Sequence, residues 1–392
     1  MNKKIRFIIA LLLVSVIGGL IAYGTVSTTK EKSTISAANS QAEADAKIAA
    51  QAMKTVILNG HISLDMEPFM NDPRVVARLQ ESNIRVNFTR LGSRGMAEHL
   101  GKNSTTHRHP DFYIASGVVA GNQISEMAKS LKQNPSSYSP LYTPLIFATW
   151  KPIADILRAN GMATVDAISG TYKVDNKKLL NAMVKKQKWA DFKESGEFSV
   201  SRSVLVATTD VSSSNSAAMY LALMSFSLND NNVVDNNEKA IASATALTEL
   251  FTRQGYQENY VNGNFDDYTS VGMGKTPLAF IYENQMVAYA RQQGKIKSNM
   301  VIAYPTPTIF NKQVFVALSE PAKKLGELIS TDKVLQKIAV EYGFRSGSNK
   351  EFSEEANKNG LKVKEEILDV IDPPAHGFMT TMIDTVVSQT KK

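Results

Sequence analysis

The chain contains no cysteine. Disulfides, thiolate metal sites and a thiol nucleophile are thereby excluded, and so is anchoring through a lipidated N-terminal cysteine. Histidine is scarce, with five in 392 residues. No Ser/His/Asp nucleophile signature, Walker loop or dinucleotide fingerprint occurs either, and these absences argue against an enzyme. Lysine and arginine outnumber aspartate and glutamate by 44 to 37, giving a formal net charge of +7, but the lysines are spread along the chain. A dense basic run with interleaved aromatics is missing, which argues against nucleic-acid binding. Mild surface basicity of this kind suits anionic ligands or lipid surfaces. Internal repeats and long low-complexity tracts are missing as well.

Charge is also absent from Phe7 to Thr29, a run preceded by Lys3-Lys4-Ile5-Arg6 and closed by Lys30-Glu31-Lys32. About 20 apolar residues let a helix cross the hydrocarbon core. A basic start before an apolar stretch is also the form of a secretory signal. Both readings send the body of the chain out of the cytoplasm, because the positive flank stays inside. Ala22-Tyr23-Gly24 offers a small-x-small cleavage point, whereas Ile17–Ala22 carries the run past a short signal core. The expectation is a single-pass anchor at residues 1–29 in the cell membrane, with the body outside. The alternative is a secreted or periplasmic body after cleavage. Residues 30–53, rich in Ser, Thr, Ala, Gln and charges, read as a polar linker or helical stalk.

From residue 54 onward, short apolar runs alternate with amphipathic stretches. Thr55–Leu58, Ile84–Thr89, Asp111–Ala115, Leu145–Thr149, Val204–Ala207, Leu278–Tyr282, Val301–Tyr304 and Val314–Leu318 read as strands. Pro152–Asn160, Ala217–Phe226, Glu238–Gln254 and Lys323–Tyr342 read as helices, the last ended by Gly343. This alternation predicts the α/β fold class with mostly parallel sheets. In such sheets, ligands bind where strand ends meet helix N-termini. The roughly 330 residues of the body suffice for two lobes, each with its own core.

The most informative segment is Val204–Phe226, where a short run ends in Thr208-Thr209-Asp210 and a helix comes after it. Between them lie Ser212, Ser213, Ser214, Asn215 and Ser216. A helix N-terminus leaves backbone N–H groups unpaired and carries positive dipole charge. Small hydroxyl side chains there suit a carboxylate or oxyanion; the same residues also make an ordinary Ser-rich N-cap. Arg90-Leu91-Gly92-Ser93-Arg94-Gly95 forms a second junction, whose arginines would supply charge-assisted bonds to an anion or sit in a solvated turn. Asn59-Gly60-His61 and Ile114-Ala115-Ser116-Gly117 are two more small-residue strand ends, and four together favour a shared cleft. Leu278–Tyr282 runs into Glu283-Asn284-Gln285, where Glu283 either accepts from a ligand or caps a helix. His107-Arg108-His109 has H-x-H spacing, but two ligands do not make a tetrahedral site. Asp230–Glu238 lacks the glycine and spacing of an EF-hand. No metal or cofactor is therefore expected.

On these segments the body, from about Lys54 to about Arg345, resembles the bacterial extracellular solute-binding proteins of the type II periplasmic-binding-protein fold, most closely their molybdate, sulfate and phosphate branch. The resemblance is carried by "TDVSSSNSAAMYLAL", "DDYTSVGMGKTPLAFIYENQ", "PLIFATWKPIADIL" and "VLQKIAVEYGFRS". It implies two α/β lobes that close on a ligand, with a cleft lined by Ser93, Ser116, Thr149, Ser213, Asn215, Ser216 and Tyr282, and Glu283 at its margin. Arg94 and Ser214 join them from the residue pattern itself. The implied lobes are residues 54–148 and 149–308, with residues 309–392 returning to the first and adding C-terminal helices. The expected partners are a small, anionic ligand, an ABC permease and the membrane. The anchor and long tether leave a sensory or envelope-interaction role open beside transport.

Overall fold

The computed structural model describes residues 55–102, 109–255, 257 and 263–390. The anchor, its cleavage point and the stalk lie outside the described residues, as do His107 and Arg108. Among the described residues, no helix is long and apolar enough to cross a membrane. Leu58–Arg78 and the chain from Val86 onward make one compact unit, and a second, small unit takes in Leu79–Arg85 and the described residues up to Ile57.

The elements that position the site begin with β1 (Val56–Ile62), β2 (Ile84–Arg90), α1 (Met96–Lys102), β3 (Phe112–Ser116), α2 (Val118–Ser130) and β4 (Ser136–Trp150). They continue with α3 (Lys151–Ala159), β5 (Ala163–Val165), β6 (Tyr172–Asp175), α4 (Asn176–Val184), α5 (Asn215–Leu228), α6 (Asn237–Thr252) and α7 (Gly263–Ser270). After them come β7 (Leu278–Tyr282), α8 (Glu283–Gln292), β8 (Met300–Thr306) and β9 (Phe310–Ala317). The chain closes with α9 (Glu320–Thr331), α10 (Lys333–Glu341), α11 (Asn349–Lys358) and α12 (His376–Thr390).

The nine strands join in the order β2-β1-β3-β9-β4-β8-β6-β5, with β7 also paired to β4. The fold class is α/β as expected, but the sheet is not mostly parallel. β1–β3 and β6–β8 are parallel; β3–β9, β4–β9, β4–β7, β4–β8 and β5–β6 are antiparallel. The cause is the pair of strands at the centre. β9 returns antiparallel between β3 and β4, and β4 pairs with β9 over Ser136–Pro144 before pairing with β7 and β8 over Leu145–Trp150.

Among the described residues, two apolar cores bear on the site. One gathers Met96 and Leu100 of α1, Ile124 of α2, Tyr113 and Ala115 of β3, and Val314 and Val316 of β9. The larger one surrounds α5, which is apolar on every side and buried almost throughout, as a helix without a polar face must be. α12 packs into this larger core through Met379, Met382, Ile383 and Val386, with Gln389 donating to Thr245 of α6 at 3.1 Å.

Three local readings need correction. β1 does not stop at Leu58 but runs on through Gly60, where a Cβ would lie 2.5 Å from the Phe112 ring; the missing side chain lets β1 lie close against β3. Val204–Ala207 is no strand, and only Ser203 and Ala207 make single bridges, to Lys188 and Ala279. Lys323–Tyr342 is two helices, not one. Asp332 breaks it by accepting from the Val334 and Leu335 N–H groups at 3.0 Å, an N-cap for α10. α10 ends as expected, with Gly343 at φ +80°.

Candidate ligand-binding site

The ends of β1, β3 and β7 and the starts of α1 and α5 meet around a cavity of about 400 Å³, within the size range of small-molecule sites. Ser93, Arg94, Ser116, Ser213, Ser214, Asn215 and Tyr282 line it, together with Ser63, Leu64, Asp65, Leu91, Gly92, Gly95 and Ser212. Seven of the ten expected residues, scattered over about half of the sequence, thus face one space.

The loop before α5 is built by Asp210. Its carboxylate accepts from the Ser212 N–H at 2.7 Å and from the Ser212 hydroxyl, and its carbonyl accepts from Ser214 N–H at 2.9 Å. Ser214 is the N-cap residue of α5, yet its side chain does not cap the helix. It bonds instead to Thr209 at 2.6 Å and Ser216 at 3.0 Å in a buried hydroxyl cluster. Arg94 reaches across from the opposite loop and donates to the Val211 and Ser212 carbonyls at 3.2 and 2.6 Å. Its guanidinium therefore straps two loops together at the cavity wall.

The floor is a continuous polar network. Ser93 Oγ accepts from the Ser116 N–H at 2.9 Å. Ser116 Oγ donates to Asp65 at 3.0 Å and accepts from Asn311 Nδ2 at 2.7 Å. Asn215 Nδ2 donates to the Tyr282 hydroxyl at 3.1 Å and reaches Asn311 Oδ1 at 3.4 Å. Gln313 donates to Asp65 and accepts from Ser63 at 3.3 Å. Asn311 and Gln313 are fully buried, and each is satisfied, as buried amides must be. Burial pushes the Tyr282 hydroxyl pKa well up, and the nearby Asp65 charge adds to the rise.

Three expected members lie elsewhere. Thr149 is buried and donates to the Pro277 carbonyl at 2.7 Å. Ser216 is buried against Thr209 at 2.9 Å. Glu283 lies outside this cavity: Arg345 binds it at 2.7 and 3.0 Å and Tyr304 donates to it, all out of solvent. Arg90 pairs with Glu67 at 3.3 Å rather than facing the cavity. Conversely, Asp65, Asn311 and Gln313 were not singled out by sequence reasoning. The last two carry a usable signal, since they stand two apart, and so on one face, at the start of a strand whose remainder is apolar. Asp65, in a short turn after β1, carries none.

No protein-family model matches the chain, and no curated protein matches it. Solved structures do. An ABC transporter solute-binding protein from Thermotoga lettingae, bound with α-D-tagatose, is 12% identical over 86% of this chain and 95% of its own, with a TM-score of 0.53. The periplasmic binding protein AfuA from Actinobacillus pleuropneumoniae, with fructose-6-phosphate bound, is 13% identical over 85% and 98%, with a TM-score of 0.51. The ferric binding protein from Campylobacter jejuni is 14% identical over 85% and 97%, with a TM-score of 0.50. The fold is that of the periplasmic solute-binding proteins. At these identities the likeness speaks to architecture alone, and the residues around the cavity must be read on their own chemistry.

Proposed function

We propose that this chain is a non-enzymatic, extracytoplasmic solute-binding protein that captures a small, anionic ligand at the N-terminus of α5. The observation that carries this reading is the convergence of five separate strand and helix ends on one cavity of about 400 Å³. The first-turn N–H groups of α5 and the hydroxyl of Ser93, which accepts from Ser116 and keeps its own proton, supply donors, and a helix N-terminus favours negative charge. In this reading residues 54–148 and 149–308 act as two lobes, with β9 returning to the first. Phe7–Thr29 holds the body at the membrane, where an ABC-type permease receives the solute.

Isothermal titration of the full-length protein in detergent, against a panel of oxyanions and carboxylates, tests the proposal. Saturable one-to-one binding that is lost in Ser213→Trp, whose side chain is exposed at the cavity wall, is expected. Absence of saturable binding across the panel and across a broad metabolite set sinks it.

A further inference from the structure

Asp65 stands at the cavity without a counter-charge. Its Oδ2 takes the hydrogen bonds from Ser116 and Gln313. Its Oδ1 has no hydrogen-bond partner, and no lysine, arginine or histidine pairs with it, among the described residues. The carboxylate is half-buried and borders not only the first cavity but also an adjoining space of about 900 Å³, and Leu64, Asp65 and Tyr282 line both. Arg94, the cation nearest in the wall, spends its hydrogen bonds on the Val211 and Ser212 carbonyls.

A carboxylate partly withdrawn from water costs free energy unless a cation or donor meets it. It also repels a bare oxyanion, since like charges at short range in a cleft of low dielectric cost more than in water. The cavity therefore has two poles: a positive one, the N-terminus of α5 with the Arg94 guanidinium strapped to the loop before it, and a negative one, Asp65, held in place by Ser116 and Gln313. A ligand with a single negative group satisfies one pole and is penalised by the other.

Resting on the solute-capture part of that proposal, and replacing its purely anionic ligand by one whose acid group is joined to a protonated amine, we infer that the ligand is a zwitterion, with the amine seated on Asp65 and a carboxylate or phosphonate at the start of α5. The amine supplies the missing charge partner, and the acid takes the helix donors. The network through Asn311 and Asn215 fixes the two poles relative to each other.

The test is titration of the full-length protein with matched compounds. Each proteinogenic amino acid is set beside its α-hydroxy acid and its decarboxylated amine, and 2-aminoethylphosphonate beside ethylphosphonate. The expected result is saturable binding of at least one zwitterion, with a loss of about tenfold or more when either the amine or the acid is removed. Asp65→Asn then weakens that zwitterion by about tenfold and tightens its amine-free counterpart, so that the preference between the two collapses. The amino-acid and phosphonate arms identify which acid the α5 end accepts. Amine-free acids that bind as tightly as their zwitterions overturn the inference while leaving solute capture standing. Binding by none of the compounds overturns the inference, and the solute-binding reading falls with it only when the oxyanion panel and the metabolite set fail as well. The wild-type comparison decides even if Asp65→Asn fails to fold.

Discussion

Arg345 grips Glu283 from 62 residues away, with Nε–Oε2 at 2.7 Å and Nη2–Oε1 at 3.0 Å, and neither side chain reaches solvent. The same guanidinium donates to the Glu365 and Lys364 carbonyls at 2.8 and 2.6 Å and lies 4.3 Å from the Phe352 ring centroid. Burial opposes the charge on Arg345, and Glu283 overrides it, holding the guanidinium pKa above its usual value. The first residue of α8 is thereby tied to the tail beyond α10. The pair is a fastener of the fold, and the candidate cavity lies one residue away at Tyr282.

Removing one partner should therefore cost more than removing both. Arg345→Met strands a buried carboxylate and should destabilise the protein by about 3–5 kcal/mol, whereas Glu283→Leu with Arg345→Met should recover much of it. Urea unfolding of the three variants checks this. Equal loss in the single and double variants would show that packing rather than charge dominates.

Gly343→Ala should destabilise by more than about 1 kcal/mol. The residue sits at φ +80° and a Cβ there would meet the Asn284 backbone at 2.6 Å, so both conformation and space are wrong. Thermal melting reads the loss, and Gly95→Ala, where nothing lies within 4 Å, serves as the contrast.

Stability should fall as pH drops below about 6.5, and His61 should account for part of the fall. His61 shares a 2.6 Å hydrogen bond with Thr89 and packs 4.3 Å from the His99 ring. Burial first, and the His99 charge second, lower its pKa from 6.5. The folded state then binds fewer protons than the unfolded chain, so this contribution is complete above 6.5 and is lost as pH falls toward the folded value. Denaturant unfolding from pH 7.5 to pH 5 should give a shallower slope for His61→Gln than for wild type.

A second pH effect belongs to strong acid. The Ser169 backbone N–H, and then its hydroxyl and Lys364, bring the Asp166 pKa down to about 2. This contribution is present above the ordinary 3.8 and lost as pH falls through about 2. Asp166→Asn should flatten the stability curve between pH 4 and pH 2.

Arg94→Ala should loosen the Ser-rich loop without disturbing the cores. A charged hydrogen bond to a carbonyl contributes about 1.5 kcal/mol at the low end, equivalent to about tenfold in a local opening constant. Amide exchange across Val211–Ser216 should accelerate accordingly, while β3 stays protected. Unchanged exchange would mean the strap holds nothing.

Much of the cavity was legible because it is made of small polar residues at strand ends, a pattern that survives without tertiary information. Ser93, Ser116, Asn215 and Tyr282 were all readable in that way. Glu283 was misplaced because an acidic residue at a helix start looks the same whether it faces a ligand or a distant Arg345. Thr149 and Ser216 went astray for a related reason: their hydroxyls turn inward to Pro277 and Thr209, and sequence does not say which face a strand end presents. Asp65 was invisible, since its meaning depends on Ser116 and Gln313 arriving from other strands. The sheet direction was misjudged because β4 lies between two helices as a parallel strand does, yet runs against its neighbours.

The long strand β4 has a consequence for how the molecule comes apart. Its first nine residues are knitted to β9 and its last six to β7 and β8, with the change of partner at Pro144–Leu145. Neither core can melt without stripping hydrogen bonds from a strand the other still needs. The two cores are thus geared to one shaft, and heating should yield one calorimetric peak where independent modules would yield two.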